Sequence, residues 1–169
     1  TEVLKKMGRR YTKEEYLTLF NKLKQKIKNV SISTDIIVGF PNETKEEFED
    51  TLDLVNKCKY DLAYTFIFSP RVGTPAEKME DNISKEEKEQ RLYKLNELVN
   101  KYALENNKKL ENKTVKVLIE GENEKGSLMG YTETNKLVNV KGPKETIGKI
   151  VKVKINEAKT WSLNGEYIK

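Results

Sequence analysis

The stretch SISTDIIVGFPNET, residues 31–44, decides how the first half of the chain folds. A β-branched run (Ile32, Thr34, Ile36, Ile37, Val38) breaks at Gly39-Phe40-Pro41, and a helix signal restarts at Thr44. A strand feeding a short turn and then a helix is one βα step of an α/β sheet. In such sheets the ligand lies outside the carboxyl ends of the strands. Alternation over an expected strand Val30 to Val38 puts Ile32, Thr34, Ile36 and Val38 on one face and Ser31, Ser33, Asp35 and Ile37 on the other. The first face suits packing against helices, the second a barrel interior or cleft that holds a polar ligand. Asp35, an acid inside a strand, needs a partner.

Around this step the chain alternates helix and strand. Thr12 and Glu15 form a capping box for a helix over residues 12–28, with Tyr16, Leu19, Phe20, Leu23 and Ile27 as its apolar face and Asn29 as its end. Thr44 and Glu47 cap the next helix, which buries Phe48, Leu52, Val55 and Cys58; a lone cysteine on an apolar face reads as a small core residue before a reactive thiol. Leu62 to Phe68 is an aromatic-rich strand. The order predicts a parallel sheet. Two such units cannot close a barrel, so the first 80 residues read as part of a larger domain. The exposed strand edge over residues 30–38 could recruit a second copy of the chain. Opening on Thr1 rather than Met also fits a segment of a longer protein. Ser84 with Glu87 caps a long helix to about Lys109, carrying Leu92, Leu95, Val99 and Tyr102.

From Thr114 onward the period changes to two. Expected strands are 114–120, 127–134, 137–140, 147–158 and 159–169, with turns at Gly121, Gly126, Gly142-Pro143 and Asn164-Gly165. Five short strands in this span predict a small OB-like barrel. Lys116, Lys136, Lys141, Lys149, Lys152, Lys154 and Lys159 decorate it, and Tyr131 and Trp161 are available to stack. Basic groups with aromatics are what single-stranded RNA requires. The competing reading makes Trp161 core and the lysines a solvated face.

Composition narrows the chemistry. The 169 residues are 36% hydrophobic and 35% charged, with one cysteine and no histidine. The lone cysteine excludes a disulfide framework and suits the cytoplasm. Without histidine the commonest general base and metal ligand is missing. There is no nucleophile elbow and no Gly-rich phosphate loop, which argues against a small hydrolase or transferase domain. No apolar run reaches a membrane span. Residues 1–83 hold 14 Lys/Arg and 14 Asp/Glu, whereas residues 84–169 hold 18 and 13, so the net charge of +5 belongs to the second half. A basic half beside a neutral one suggests a polyanionic partner.

Five stretches, TEVLKKMGRRYT, TDIIVGFPNET, FSPRVGTPA, LMGYTETNKLVNV and AKTWSLNGE, resemble the carboxyl half of a radical-AdoMet tRNA methylthiotransferase of the MiaB type. The resemblance covers nearly the whole chain in order. TETNKLVNV is more similar to the tRNA-modifying branch than to the ribosomal-protein branch, and threonylcarbamoyl-adenosine methylthiotransferases are the closest rival. A free-standing RNA-binding module is the alternative from a different class.

The resemblance implies α/β plus all-β architecture. Residues 1–83 would be the last two βα units of the radical-AdoMet barrel, 84–110 a linking helix, and 111–169 a TRAM β-barrel that binds tRNA at the anticodon stem-loop. The family transfers a methylthio group to C2 of a modified adenosine beside the anticodon, using AdoMet and two 4Fe–4S clusters. The family's three-cysteine motif is absent, so the chain is expected to hold no cluster, to carry no catalytic or metal-binding residue of its own, and to be inactive alone.

By the same resemblance Arg9 would meet the AdoMet carboxylate and Asp35 the ribose hydroxyls. Each has a plainer reading, as a surface arginine and as a structural acid. Gly39, Phe40 and Pro41 would shape the strand end beside the adenine, and the backbone near Ile67 would pair with its edge. Arg71 is a candidate for facing RNA or the second cluster. Tyr131, Asn135, Lys136 and Trp161 are the RNA candidates of the barrel, and Thr132 and Asn139 are turn or core hydrogen-bonders.

Overall fold

The computed structural model describes residues 1–124 and 126–169. They form two compact units, Thr1–Val99 and Asn100–Lys169.

The first unit opens with a short helix α1 (Glu2–Lys6) and the amphipathic α2 (Lys13–Lys26). Both bonds of the Thr12/Glu15 capping box form; the helix stops at Lys26 with Ile27 as an extended C-cap, earlier than the expected end at Asn29, which follows in the left-handed region at φ 58°. The apolar face of α2 is only partly covered. Phe20 is buried edge-on to Tyr60 at 5.6 Å, and the Tyr60 hydroxyl donates to the Tyr16 hydroxyl at 2.9 Å, while Leu19, Leu23 and Ile27 stay exposed.

Strand β1 (Ser33–Val38) starts three residues later than expected. The Asp61 carboxylate accepts from the Ile32 N–H and the Ile32 carbonyl accepts from the Asp61 N–H, both at 3.1 Å, so a side-chain clamp replaces the ladder there. Helix α3 (Lys45–Cys58) follows its own complete capping box at Thr44 and buries Phe48, Val55 and Cys58. Strand β2 (Leu62–Ile67) pairs parallel with β1, Asp35 lying opposite Tyr64 and Ile37 opposite Phe66. The long helix α4 (Lys85–Lys108) begins with the Glu87 N–H donating to Ser84 Oγ at 3.1 Å. The Glu87 carboxylate turns to Arg91 instead of completing a box.

The second unit is a closed five-stranded barrel in the order β3-β4-β5-β7-β6, formed by β3 (Thr114–Glu122), β4 (Leu128–Thr132), β5 (Leu137–Lys141), β6 (Ile150–Ala158) and β7 (Leu163–Ile168). All neighbours are antiparallel except β5 and β7. Alternate residues point inward, and Val117, Ile119, Val138, Val140, Val153, Ile155 and Leu163 form a fully buried core.

Two expected turns prove to be strand. Gly121 lies in β3 at a bulge, and Asn164-Gly165 lies inside β7. Gly165 is there for room: a Cβ would sit 2.5 Å from the Lys154 carbonyl oxygen across the ladder. The β6–β7 reversal occurs instead over residues 159–162, closed by the Lys159 N–H donating to the Ser162 carbonyl at 2.8 Å.

Candidate functional site

In the first unit the two strands present one face to solvent. Ser33, Asp35 and Ile37 stand beside Leu62, Tyr64 and Phe66, with Tyr64 55% and Phe66 50% exposed. Asp35 is exposed on this face as strand parity predicts, and its carboxylate bonds to no described residue. The opposite face, with Thr34, Ile36, Val38, Ala63, Thr65 and Ile67, turns toward the helices, where the Thr65 hydroxyl meets Asn96 of α4. Ile67 can therefore meet a ligand on the open face only through its main chain.

The turn at the carboxyl end of β1 is held from behind. Gly39 adopts φ +69°, open to glycine without strain, and a Cβ there would lie 2.7 Å from the Lys88 side chain. Its N–H donates to the Glu43 carboxylate at 3.1 Å. Arg91 donates to the same carboxylate oxygen at 2.7 Å and to the Glu43 carbonyl at 2.8 Å, with its guanidinium 5.6 Å from the Phe48 ring centre. Burial would lower the Arg91 pKa, but Glu43 and Glu87 outweigh it and hold the guanidinium above its ordinary value. Both Glu43 and Arg91 are buried. Phe40 is 1% exposed, packed edge-on to Phe68 at 4.9 Å, and Pro41 is buried, so these two shape the turn from inside. Sequence reasoning missed Glu43 and Arg91, which lie 48 positions apart with no local pattern joining them.

Arg9 and Arg71 are exposed and lie outside the strands. Arg71 contributes its carbonyl to a turn, accepting from the Thr74 N–H and hydroxyl at 3.2 and 2.8 Å.

The barrel brings several candidates together through a residue that the sequence did not flag. Asn107, buried near the end of α4, donates to the carbonyls of Lys159 and Thr160 at 2.9 and 3.0 Å. Its Oδ1 accepts from Lys136 Nζ at 2.9 Å. Lys136 and the turn bearing Trp161 are thus held at one place. Trp161 is 68% exposed, which removes the core reading. Asn135 sits in the adjoining turn at φ 57°, donating its N–H to the Thr132 carbonyl, while Thr132 Oγ accepts from the Lys136 N–H. Thr132 bonds within the turn, as expected, whereas Asn139 is neither in a turn nor in the core: it lies in β5 on the outward side, between the inward Val138 and Val140. Tyr131 is half-buried in β4, between Leu118 and Leu137.

A second basic surface covers β3 and β6. Lys116 lies directly opposite Lys152, and the exposed pair Leu118 and Ile150 lies next along the ladder. Among the described residues Lys116, Lys152 and Lys154 make no ion pair within 4.0 Å. Like charges opposed across a ladder destabilise it unless an anion lies over them.

No group of three or more His, Cys, Asp or Glu that could hold a metal ion occurs among the described residues. Cys58 is buried, which pushes its thiol pKa up, away from a reactive thiolate. No helix among those residues is long and apolar enough to cross a membrane.

Comparison with known proteins agrees with both halves. Residues 1–55 match the Radical SAM superfamily and residues 108–168 match the TRAM domain, so the chain joins a partial radical SAM unit to a TRAM barrel. It is 58% identical to the tRNA-2-methylthio-N(6)-dimethylallyladenosine synthase of Bacillus cytotoxicus, with 99% of this chain and 33% of that protein covered. The synthases of the same name from Oceanobacillus iheyensis (58%; 98% and 32% covered) and Bacillus subtilis (56%; 99% and 33% covered) are similar to the same extent. The chain spans about a third of the length of these curated relatives.

Proposed function

We propose that this chain is a segment of a cytoplasmic tRNA methylthiotransferase in which the barrel binds tRNA and the open sheet face contributes to an AdoMet site. The observation that carries the RNA reading is the Asn107 hub, which ties Lys136 to the backbone of the turn that carries the exposed Trp161: one end of the barrel offers a cation for phosphate and a ring for a base. Asn135 precedes Lys136 in the same turn, and Tyr131 would contribute from β4, beside Leu118 and Leu137. The names of the relatives favour the dimethylallyl-adenosine substrate over the threonylcarbamoyl one. The bound region would be the anticodon stem-loop. Residues 1–83, 84–110 and 111–169 divide the work as AdoMet-side unit, linking helix and RNA module.

On the open face Asp35 would accept hydrogen bonds from the AdoMet ribose hydroxyls; that its carboxylate has no partner among the described residues supports this role. Gly39, Phe40 and Pro41 would shape the adenine end, Ile67 would offer main-chain groups, and Arg9 would reach the AdoMet carboxylate. Arg71 would face the RNA. Iron–sulfur clusters do not fit these residues, since Cys58 is the one cysteine and is buried. The segment is expected to be inactive alone. The unpaired outer edge of β1 makes self-association a further expectation, which sedimentation of the chain against concentration would check.

Titrating the 169-residue chain against unmodified tRNA tests the reading. Affinity should fall steeply between low and physiological salt. Trp161→Ala should weaken binding by about 1–3 kcal/mol. Binding that ignores both salt and Trp161 would refute the barrel as the RNA module.

A further inference from the structure

We propose that the outer side of the β5–β7 pair carries a nucleobase-reading subsite built on a ladder of asparagine amides; the proposal rests on the reading that the barrel binds RNA. Asn139 of β5 and Asn164 of β7 are register partners. The Asn123 amide donates to Asn139 Oδ1 at 3.1 Å, and Asn139 donates to Asn164 Oδ1 at 3.2 Å. Asn164 in turn donates to the Glu157 carboxylate. At the other end Asn123 Oδ1 accepts from the Ser127 N–H at 3.1 Å, which anchors the ladder to the β3–β4 reversal. The ladder floors a shallow cavity of about 410 Å³ lined by Asn123, Glu124, Ser127, Asn139, Lys159 and Asn164.

Stability does not account for this arrangement. Asparagine is among the poorer strand residues, and an outward position on a small barrel favours Thr, Val or Tyr. Here two asparagines face outward as neighbours across one ladder. An amide offers two donors and two acceptor sites. Within the ladder Asn139 and Asn164 each use one donor and one acceptor site, leaving each a spare N–H beside a spare carbonyl lone pair. Every base presents adjacent donor and acceptor groups on its Watson–Crick edge, in an order and position that differ between bases, so amides whose orientation the ladder fixes complement one base with two bonds better than the others. Phosphate is the wrong occupant. Glu124 lines the cavity and Glu157 ends the ladder, and both repel an anion. Lys159 also lines the cavity and belongs to the turn that carries Trp161, so a base in the cavity would adjoin the strip already assigned to RNA.

The test uses the whole 169-residue chain and four RNA stem-loops identical except for one unpaired loop base. Fluorescence anisotropy should give dissociation constants that spread by about tenfold across the four for the natural chain. In the Asn139→Val/Asn164→Val variant the spread should collapse to within about twofold, while the salt dependence stays unchanged because no phosphate contact is removed. Melting by circular dichroism should show the barrel intact, since valine suits a strand. Should the double variant not melt cooperatively, Asn139→Ser, which loses the paired donor and acceptor, must flatten the spread by itself. A spread that survives in the folded variant overturns the subsite. Equal binding of all four loops by the natural chain also overturns it, yet leaves the RNA reading standing. Failure to bind any of the loops removes both.

Discussion

The two units handle their apolar surface in opposite ways. The barrel closes its sheet, so no strand edge is left and seven core side chains are 0–1% exposed. The α/β unit has two strands, one covered face and one open face on which Ile37, Tyr64 and Phe66 meet solvent. Leu19 and Leu23 of α2 and Ile27 just past its end are exposed as well. A closed barrel is stabilised by its own packing. The α/β unit depends more on a few specific polar contacts, and its open face is available for a ligand or for more protein. The difference teaches where to look for function: on the outside of the finished unit and on the uncovered side of the other.

This contrast is broken most strongly at Arg91. Arg91→Ala would leave the buried Glu43 carboxylate without its cation, at a cost of about 3–5 kcal/mol. Hydrogen exchange should then show lost protection over α3, β1 and β2 with the barrel strands unchanged. Replacing both partners, as Glu43→Leu with Arg91→Met, should be much milder because no lone charge stays buried. Equal damage from the single and double changes would mean that packing, and not charge, holds the turn.

Gly130 is the corresponding point in the barrel. A Cβ there would lie 2.0 Å from the Leu118 carbonyl oxygen of the paired strand, where backbone must move to admit it. Gly130→Ala should cost about 3 kcal/mol or somewhat less, within the range for overpacking. The exchange pattern should be the reverse of the Arg91 variant: β3 and β4 lose protection while α3 keeps it. Damage spread evenly over both units would show them to be coupled in stability.

What was legible in the sequence follows the range of the interactions. The capping boxes at Thr12 and Thr44 are codes of four residues and form as read. Strand parity placed Asp35 on the open face because alternation needs no partner. The barrel followed from five period-two runs, but not its reversals. Asn164-Gly165 looks like a turn locally and is strand because Gly165 must clear the Lys154 backbone. The shortened start of β1 depends on Asp61, 29 positions away, and the site turn on Arg91, 48 away. Asn107 sits near the end of what reads as a linking helix, and nothing nearby marks it as the hub for Lys136 and the Trp161 turn.

The smallest expected effect is the most discriminating, because stability and binding should move in opposite directions. Lys116 and Lys152 face each other across β3 and β6, and neither has an ion-pair partner among the described residues. If that surface only needs to be soluble, one acidic residue there would serve better than two lysines. Lys152→Glu converts a repulsive cross-strand pair into an attractive one and should stabilise the barrel by about 0.2–1 kcal/mol. If the pair waits for a phosphate, the same change should weaken tRNA binding at every sequence tested. It should also lower the slope of log affinity against log salt by about 1. A more stable barrel that binds tRNA with the natural affinity and slope would confine RNA contact to the Lys136–Trp161 end. A more stable barrel with weakened binding would extend the RNA track across the β3–β6 face, at a site where the sequence keeps charge at the expense of stability.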